Sequence, residues 1–134
     1  MFTASQLVAH AVGDYIFQSQ YMADWKAKRS LAALAHVLTY LLPFLLLTRS
    51  PLALLVIGGT HFLIDRFRLA RYVCWLKNGP LVGRRGLLSW QGWAPLTATG
   101  YPETVPAWMA VWLMIIADNC LHVLINGAAL RWLA

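Results

Sequence analysis

Histidine and aspartate stand four residues apart three times in this chain, as His10 with Asp14, His61 with Asp65, and Asp118 with His122. Each pair interrupts an apolar run that reads as membrane-spanning. A spacing of four puts both side chains on one face of a helix. The pairs use three of the four histidines and three of the five acidic residues. Ionisable groups inside hydrocarbon are costly, so residues kept there are functional candidates from the outset. Imidazole and carboxylate at this spacing also make a metal-ligand pattern. The chain must therefore fold so that apolar helices turn these faces away from lipid.

Composition agrees with a membrane setting. Of 134 residues, 60% are hydrophobic and 12% charged, far more apolar than an average soluble domain. The length suits one domain, 1–134. A net charge of +6 could suggest nucleic acid. The basic residues instead gather beside apolar runs, as the positive-inside rule requires, so the expected partner is the lipid bilayer and not nucleic acid. The N-terminal MFTASQLVAHAVGDY has no basic region, and His10 and Asp14 break its apolar core; it does not read as a cleaved signal peptide. Cys74 and Cys120 are single and far apart, and read as small buried hydrophobes.

The expected fold class is all-α integral membrane: four transmembrane helices in a bundle with a polar His/Asp centre. The spans fall at about 3–22, 30–48, 51–76 and 105–132, each near the roughly 20 residues a crossing needs. Pro43 should kink the second. Pro51 suits the first turn of the third. Nine basic residues (Lys26, Lys28, Arg29, Arg66, Arg68, Arg71, Lys77, Arg84 and Arg85) fall on one side, against Arg49 and Arg131 on the other. That bias predicts a multi-pass protein of a bacterial inner membrane with both termini outside. The long loop 78–104 is then cytoplasmic, and Trp90 and Trp93 in it read as interfacial anchors or as part of a lid.

Residue order within the pairs adds information. The first and third spans read His then Asp; the fourth runs the other way and reads Asp then His. In space all three place His outward and Asp inward. At about 1.5 Å per residue, these six groups and His36 fall in a band about 10 Å tall near mid-membrane. Gln6, His10, Asp14 and Gln18 form a stripe at spacing four; Asp118, His122 and Asn126 share another face; His36 and Tyr40 lie on the second span. A bundle with these faces inward has a polar centre and an apolar exterior.

Such a centre can be satisfied by ion pairing alone, but polar contacts between membrane helices are typically worth about 1 kcal/mol or less. A divalent cation does better. The candidate ligands are His10, Asp14, His36, His61, Asp65, Asp118 and His122, more than the four that one zinc needs. Either two metals share the centre or some aspartates serve as base, with Asp14 and Asp118 the candidates. Zinc is the default, with iron, manganese or nickel as alternatives. Gln18, Tyr40, Asn119 and Asn126 are placed to hydrogen-bond the ligands. Arg66, beside Asp65, is the candidate for a lipid headgroup or substrate phosphate. Gly13, Gly58, Gly59 and Gly127 read as close-packing positions.

The string HAVGDYIFQ, His10 to Gln18, resembles an uncharacterised bacterial and phage family of small integral-membrane proteins, domain of unknown function 3307. The family pattern H-x-x-G-D-[FY]-x-x-Q is met by His10, Gly13, Asp14, Tyr15 and Gln18; H-x-x-[IL]-D by His61, Ile64 and Asp65; and the late D-Q-x-x-H by Asp118 and His122, with Asn119 where Gln is usual. The resemblance supports the site and names no reaction. A looser resemblance is to membrane-bound metal-dependent hydrolases.

The leading expectation is an enzyme, a metal-dependent intramembrane hydrolase of a lipid or lipid-linked ester, amide or phosphoester. The alternatives are a metal-ion or proton carrier or channel, which with four helices needs a homo-oligomer, and a structural or accessory phage-type protein with a metal- or ion-pair-stabilised core.

Overall fold

A computed structural model describes residues 3–78 and 96–134, and among these the chain is helical with no strand. The helices are α1 (Ala4–Ala11), α2 (Gln20–Trp25), α3 (Ser30–Leu41), α4 (Pro51–Phe67), α5 (Leu69–Asn78) and α6 (Ala107–Trp132). A π-helical turn, Val12–Ile16, extends α1, and a 3-10 turn, Pro43–Leu46, follows α3. Trp90, Trp93, Arg84 and Arg85 lie outside the described residues.

Local chemistry sets most boundaries. Thr3 caps α1 through Gln6 N–H (3.2 Å), and Ser19 caps α2 through Met22 N–H (3.3 Å). Ser50 caps α4 through Ala53 N–H (3.3 Å), with Pro51 at the first helical position, where its missing N–H is not needed. Pro43 offers no N–H to the α3 ladder, and the chain tightens: Leu42 N–H donates to Thr39 C=O at 3.2 Å, three residues back. Arg68 adopts a left-handed backbone (φ 52°), which ends α4.

The first expected span is the most altered. Its helix widens after Ala11, Phe17 N–H reaches Val12 C=O (3.0 Å) five residues back, and the chain then bends before α2 starts. The stripe of spacing four therefore stops at Asp14, and Gln18 falls beyond the bend. Gly13 permits this close approach: a Cβ there would lie 2.7 Å from Tyr40 Cδ2 and 2.9 Å from Tyr40 O.

Among the described residues one helix, α6, is long and apolar enough to cross a membrane. Only 11% of its most apolar stretch is buried, unlike a central helix of a water-soluble core. Ser30–Leu46 is apolar but shorter.

The chain divides into two compact units, one of residues 1–67 and 120–134, the other of 68–119. In the second, Cys74, Tyr101 and Ala110 form an apolar cluster, joined by Val105, Leu113, Met114 and Ala117. Gly100 has φ +75°, and a Cβ there would collide with Arg71 C=O. Both cysteines are free thiols; Cys74 is buried as expected, but Cys120 is exposed, because α6 turns that position outward.

The first unit buries a polar set beside an apolar cluster of Ala9, Tyr40, Phe44, Ile57 and Ala129. Its buried set includes Gln6, His10, Asp14, His36, His61, Asp65, His122 and Asn126. Outside it carries Leu31 (75% exposed), Leu46 (88%) and Leu55 (69%). Water-soluble domains seldom bury so many polar groups together.

Candidate metal centre

Asp14, His36, His61 and Asp65 bring one ligand atom each to a common place in the first unit. All four residues are buried, and their ligand atoms lie within 4.8 Å of one another. They come from the π-helical turn, α3 and α4, the last supplying both His61 and Asp65 one turn apart.

The distances are those of a coordination set. His36 Nε2 and His61 Nε2 are 3.0 Å apart. Asp65 Oδ2 lies 3.2 Å from each. These three atoms form a nearly equilateral face. Asp14 Oδ1 stands 3.1 Å from His36 Nε2 and 3.7 Å from His61 Nε2. A tetrahedral zinc with ligands at about 2.0–2.1 Å has ligand–ligand edges of about 3.3–3.4 Å. The cluster could hold a metal ion, with Asp14 the loosest of the four groups.

Hydrogen bonding accounts poorly for the same contacts. His36 Nε2 has at most one hydrogen, so it can donate to Asp14 or accept from His61, not both. Asp65 Oδ2 has three nitrogens within 3.2 Å, yet none approaches in hydrogen-bond geometry. His36 Nδ1 and His61 Nδ1 are buried with no hydrogen-bond partner among the described residues, so no contact commits either ring to carrying its proton on Nε2.

A second layer fixes the first. Tyr40 is fully buried and stacks on His61 with ring centroids 3.7 Å apart. Asn126 Nδ2 donates to Tyr40 Oη (2.6 Å), which leaves the tyrosine hydrogen for His10 Nδ1, 3.0 Å away. Gln6 Nε2 donates to Val123 C=O (2.6 Å), tying α1 to α6 within this unit. The His122 ring lies 4.1 Å from that of His61, and its Nε2 is 3.6 Å from Asp65 Oδ1. His10 Nδ1 is 3.8 Å from Asp14 Oδ2.

The remaining expected residues fall as follows. Asp118 is half-buried on α6, one turn before His122, and belongs to the second unit. Asn119 Nδ2 donates to Ile115 C=O on its own helix (2.7 Å). Gln18 Oε1 is buried without a hydrogen-bond partner among the described residues. Arg66 donates from Nε to Ser30 Oγ (3.2 Å) and from its guanidinium to Ala27 C=O (3.0 Å), bracing the connection before α3.

Sequence reasoning missed Lys26. Its Nζ lies 2.9 Å from Asp65 Oδ2 and 3.5 Å from His36 Nε2. In sequence its charge reads as part of the basic connection. The available signal was its place as the first cation after the first apolar run, where a flexible stem can reach back to the centre.

The family model described as "Protein of unknown function (DUF3307)" matches residues 2–80, more than half of the chain. That stretch holds all four convergent side chains and Lys26. No curated protein and no solved structure matches the chain. The chain belongs to the DUF3307 family of proteins of unknown function.

Proposed function

We propose that this protein is a metal-dependent hydrolase embedded in a bacterial inner membrane, acting on an ester, amide or phosphoester of a lipid. The observation that carries the reading is the triangle of His36 Nε2, His61 Nε2 and Asp65 Oδ2, with sides of 3.0, 3.2 and 3.2 Å. Two imidazoles and one carboxylate on a face is the ligand pattern of catalytic zinc. A divalent ion held there would polarise a carbonyl or phosphoryl oxygen and acidify a bound water. Asp14, the loosest member, would serve as the base for that water. Tyr40 and Asn126 keep the His61 ring and α6 in register.

The membrane setting rests on exposure. Leu31, Leu38, Leu42 and Leu46 along α3 and its 3-10 turn, and Leu52, Leu55 and Leu63 along α4, face outward. Exposed apolar faces around a buried polar centre fit hydrocarbon better than water. The four apolar segments would cross the bilayer with both termini outside, as the basic residues imply.

A second reading is a structural metal. Four protein atoms converge, and a closed four-ligand set favours structure over catalysis. One experiment separates the two. The purified protein is analysed for metal, then assayed against a panel of lipid esters and phosphoesters before and after chelation. Near one zinc-type ion per chain with chelator-sensitive hydrolysis supports the enzyme. Bound metal without hydrolysis, and unfolding on chelation, supports the structural reading. Absence of metal removes both.

A further inference from the structure

We infer that α5 is an interfacial helix that docks on anionic lipids of the bilayer through a stripe of Leu69, Tyr72, Val73 and Leu76. The inference rests on the membrane setting proposed above and is independent of the metal.

In sequence the third span reads as running to residue 76. The structure divides it. α4 ends at Phe67, Arg68 takes a left-handed backbone, and a new helix begins at Leu69. The 17 residues of α4 already reach the lower end of the about 17–25 that a crossing needs. α5 is therefore not required to finish the crossing. It starts where a span of that length meets the headgroups.

Two faces of α5 are apolar, and its own unit uses one. Ala70 and Cys74 are buried, Cys74 in the cluster with Tyr101 and Ala110. Leu69, Tyr72, Val73 and Leu76 are all exposed. Their spacing of i, i+3, i+4 and i+7 makes one continuous stripe on a helix. An exposed apolar stripe of this kind marks an interaction surface.

Charge identifies the occupant. Arg68 stands before the stripe and Lys77 after it, both exposed. Between Asp65 and Glu103 the chain carries six basic residues and no acidic one. An apolar stripe with cations at its ends suits a helix lying in the plane of an anionic membrane surface. The stripe then meets the acyl boundary and the cations meet phosphates. Tyr72 fits that depth, since its ring lies in the stripe while its hydroxyl accepts from the Arg71 guanidinium at 2.9 Å. Arg68 gives one guanidinium nitrogen to Ala98 C=O (3.3 Å), and arginine has five donors in all. A second copy of this chain on the same face would set like charges against each other, which disfavours that occupant.

The test uses the whole protein in lipid nanodiscs, of phosphatidylcholine alone or mixed with phosphatidylglycerol. The background is Cys120→Ser; Cys74 is buried, and a sample without added cysteine measures its labelling. Nitroxide labels are placed by Val73→Cys and Leu76→Cys on the stripe, by Asn78→Cys off it, and by Leu55→Cys on the outward face of α4. Collisions with oxygen, which enters lipid, are compared with those of a water-soluble nickel chelate. With phosphatidylglycerol present, the labels at 73 and 76 should meet oxygen and exclude the chelate, while the label at 78 should meet the chelate. Arg68→Gln with Lys77→Gln should raise the ratio of chelate-accessible to protected label at 76 by about fivefold for each cation removed. Discs of phosphatidylcholine alone, or high salt, should act in the same direction. If the double variant does not fold, the salt series carries the comparison. Chelate reaching 73 and 76 as freely as 78 overturns the inference. So does exclusion of both probes there, which would mean a protein cover such as a second copy. Depth unaffected by lipid charge, salt and the two substitutions overturns it as well. Each of these leaves the membrane setting standing if Leu55→Cys meets oxygen and excludes the chelate. Chelate at position 55 too would overturn that setting along with the inference.

Discussion

His10-x-x-x-Asp14 and His61-x-x-x-Asp65 are the same pattern in sequence and different devices in the fold. On α4 the helix is regular, both side chains enter the centre, and His61 Nε2 and Asp65 Oδ2 sit 3.2 Å apart. In the first segment the helix passes into a π-helical turn at Val12, and only Asp14 joins the four-atom cluster. His10 instead meets the Tyr40 hydroxyl at 3.0 Å. Spacing of four guarantees a shared face on an unbroken helix, but whether both ends of a pair meet one ion depends on what is packed against that face. The π-helical turn, a feature often found at functional sites, separates the roles: Asp14 faces the cluster and His10 steadies the tyrosine behind it.

The largest expected effect tests that division. His61→Ala should lose the bound metal, since it removes one corner of the triangle and the ring that stacks on Tyr40. His10→Ala should keep near-normal stoichiometry and weaken affinity by about 10- to 100-fold, as loss of a residue supporting a ligand does. Elemental analysis and a competitive chelator titration read both. Equal loss in the two variants would mean that the motifs act alike after all.

A smaller effect probes why the first motif departs from regular helix. Gly13→Ala would put a methyl 2.9 Å from Tyr40 O, which is backbone and cannot rotate away. Overpacking of this kind typically costs about 1–3 kcal/mol. The variant should unfold at lower temperature, and Asp14 should be displaced from the cluster with it. Gly58→Ala meets the end of Leu41 at 2.9 Å, a flexible side chain, so its cost should be lower. Thermal melts of the two variants in one detergent give the order; Gly58→Ala as damaging as Gly13→Ala would show that backbone contact is not the controlling factor.

These cases also show what could be read in advance. Pro51 suits the first turn of a helix through its own backbone chemistry, so that boundary was visible in sequence, whereas Pro43, read as a kink within one span, stands where α3 gives way to a 3-10 turn. The apolar runs and the clustering of Asp14, His36, His61 and Asp65 were visible too, because ionisable residues in such runs need each other. The widening at Val12 was not; it lies where Tyr40 of another helix packs closely on Gly13. Lys26 was hidden because the positive-inside rule already explained its charge. Arg66 looked like the phosphate ligand from its place beside Asp65, but it turns to the 27–30 connection, and only folding reveals that alternative.

The smallest effect sits on the regular side of the comparison. Gly59 lies on α4 next to Gly58, yet a Cβ there meets nothing within 4 Å. Both glycines read as close-packing positions; among the described residues Gly58 packs against Leu41 and Val37, and Gly59 packs against none. In an unbroken helix, alanine is favoured over glycine by roughly 0.5–1 kcal/mol. Gly59→Ala should therefore leave metal content unchanged and hold or slightly raise the melting temperature in detergent. A clear fall in stability would mean that this exposed face of α4 is covered in the purified protein. The homo-oligomer that a carrier or channel requires would account for it, and the fall should then disappear on dilution to monomer. Unchanged behaviour at every concentration would favour a centre that works within one chain, as the hydrolase reading expects.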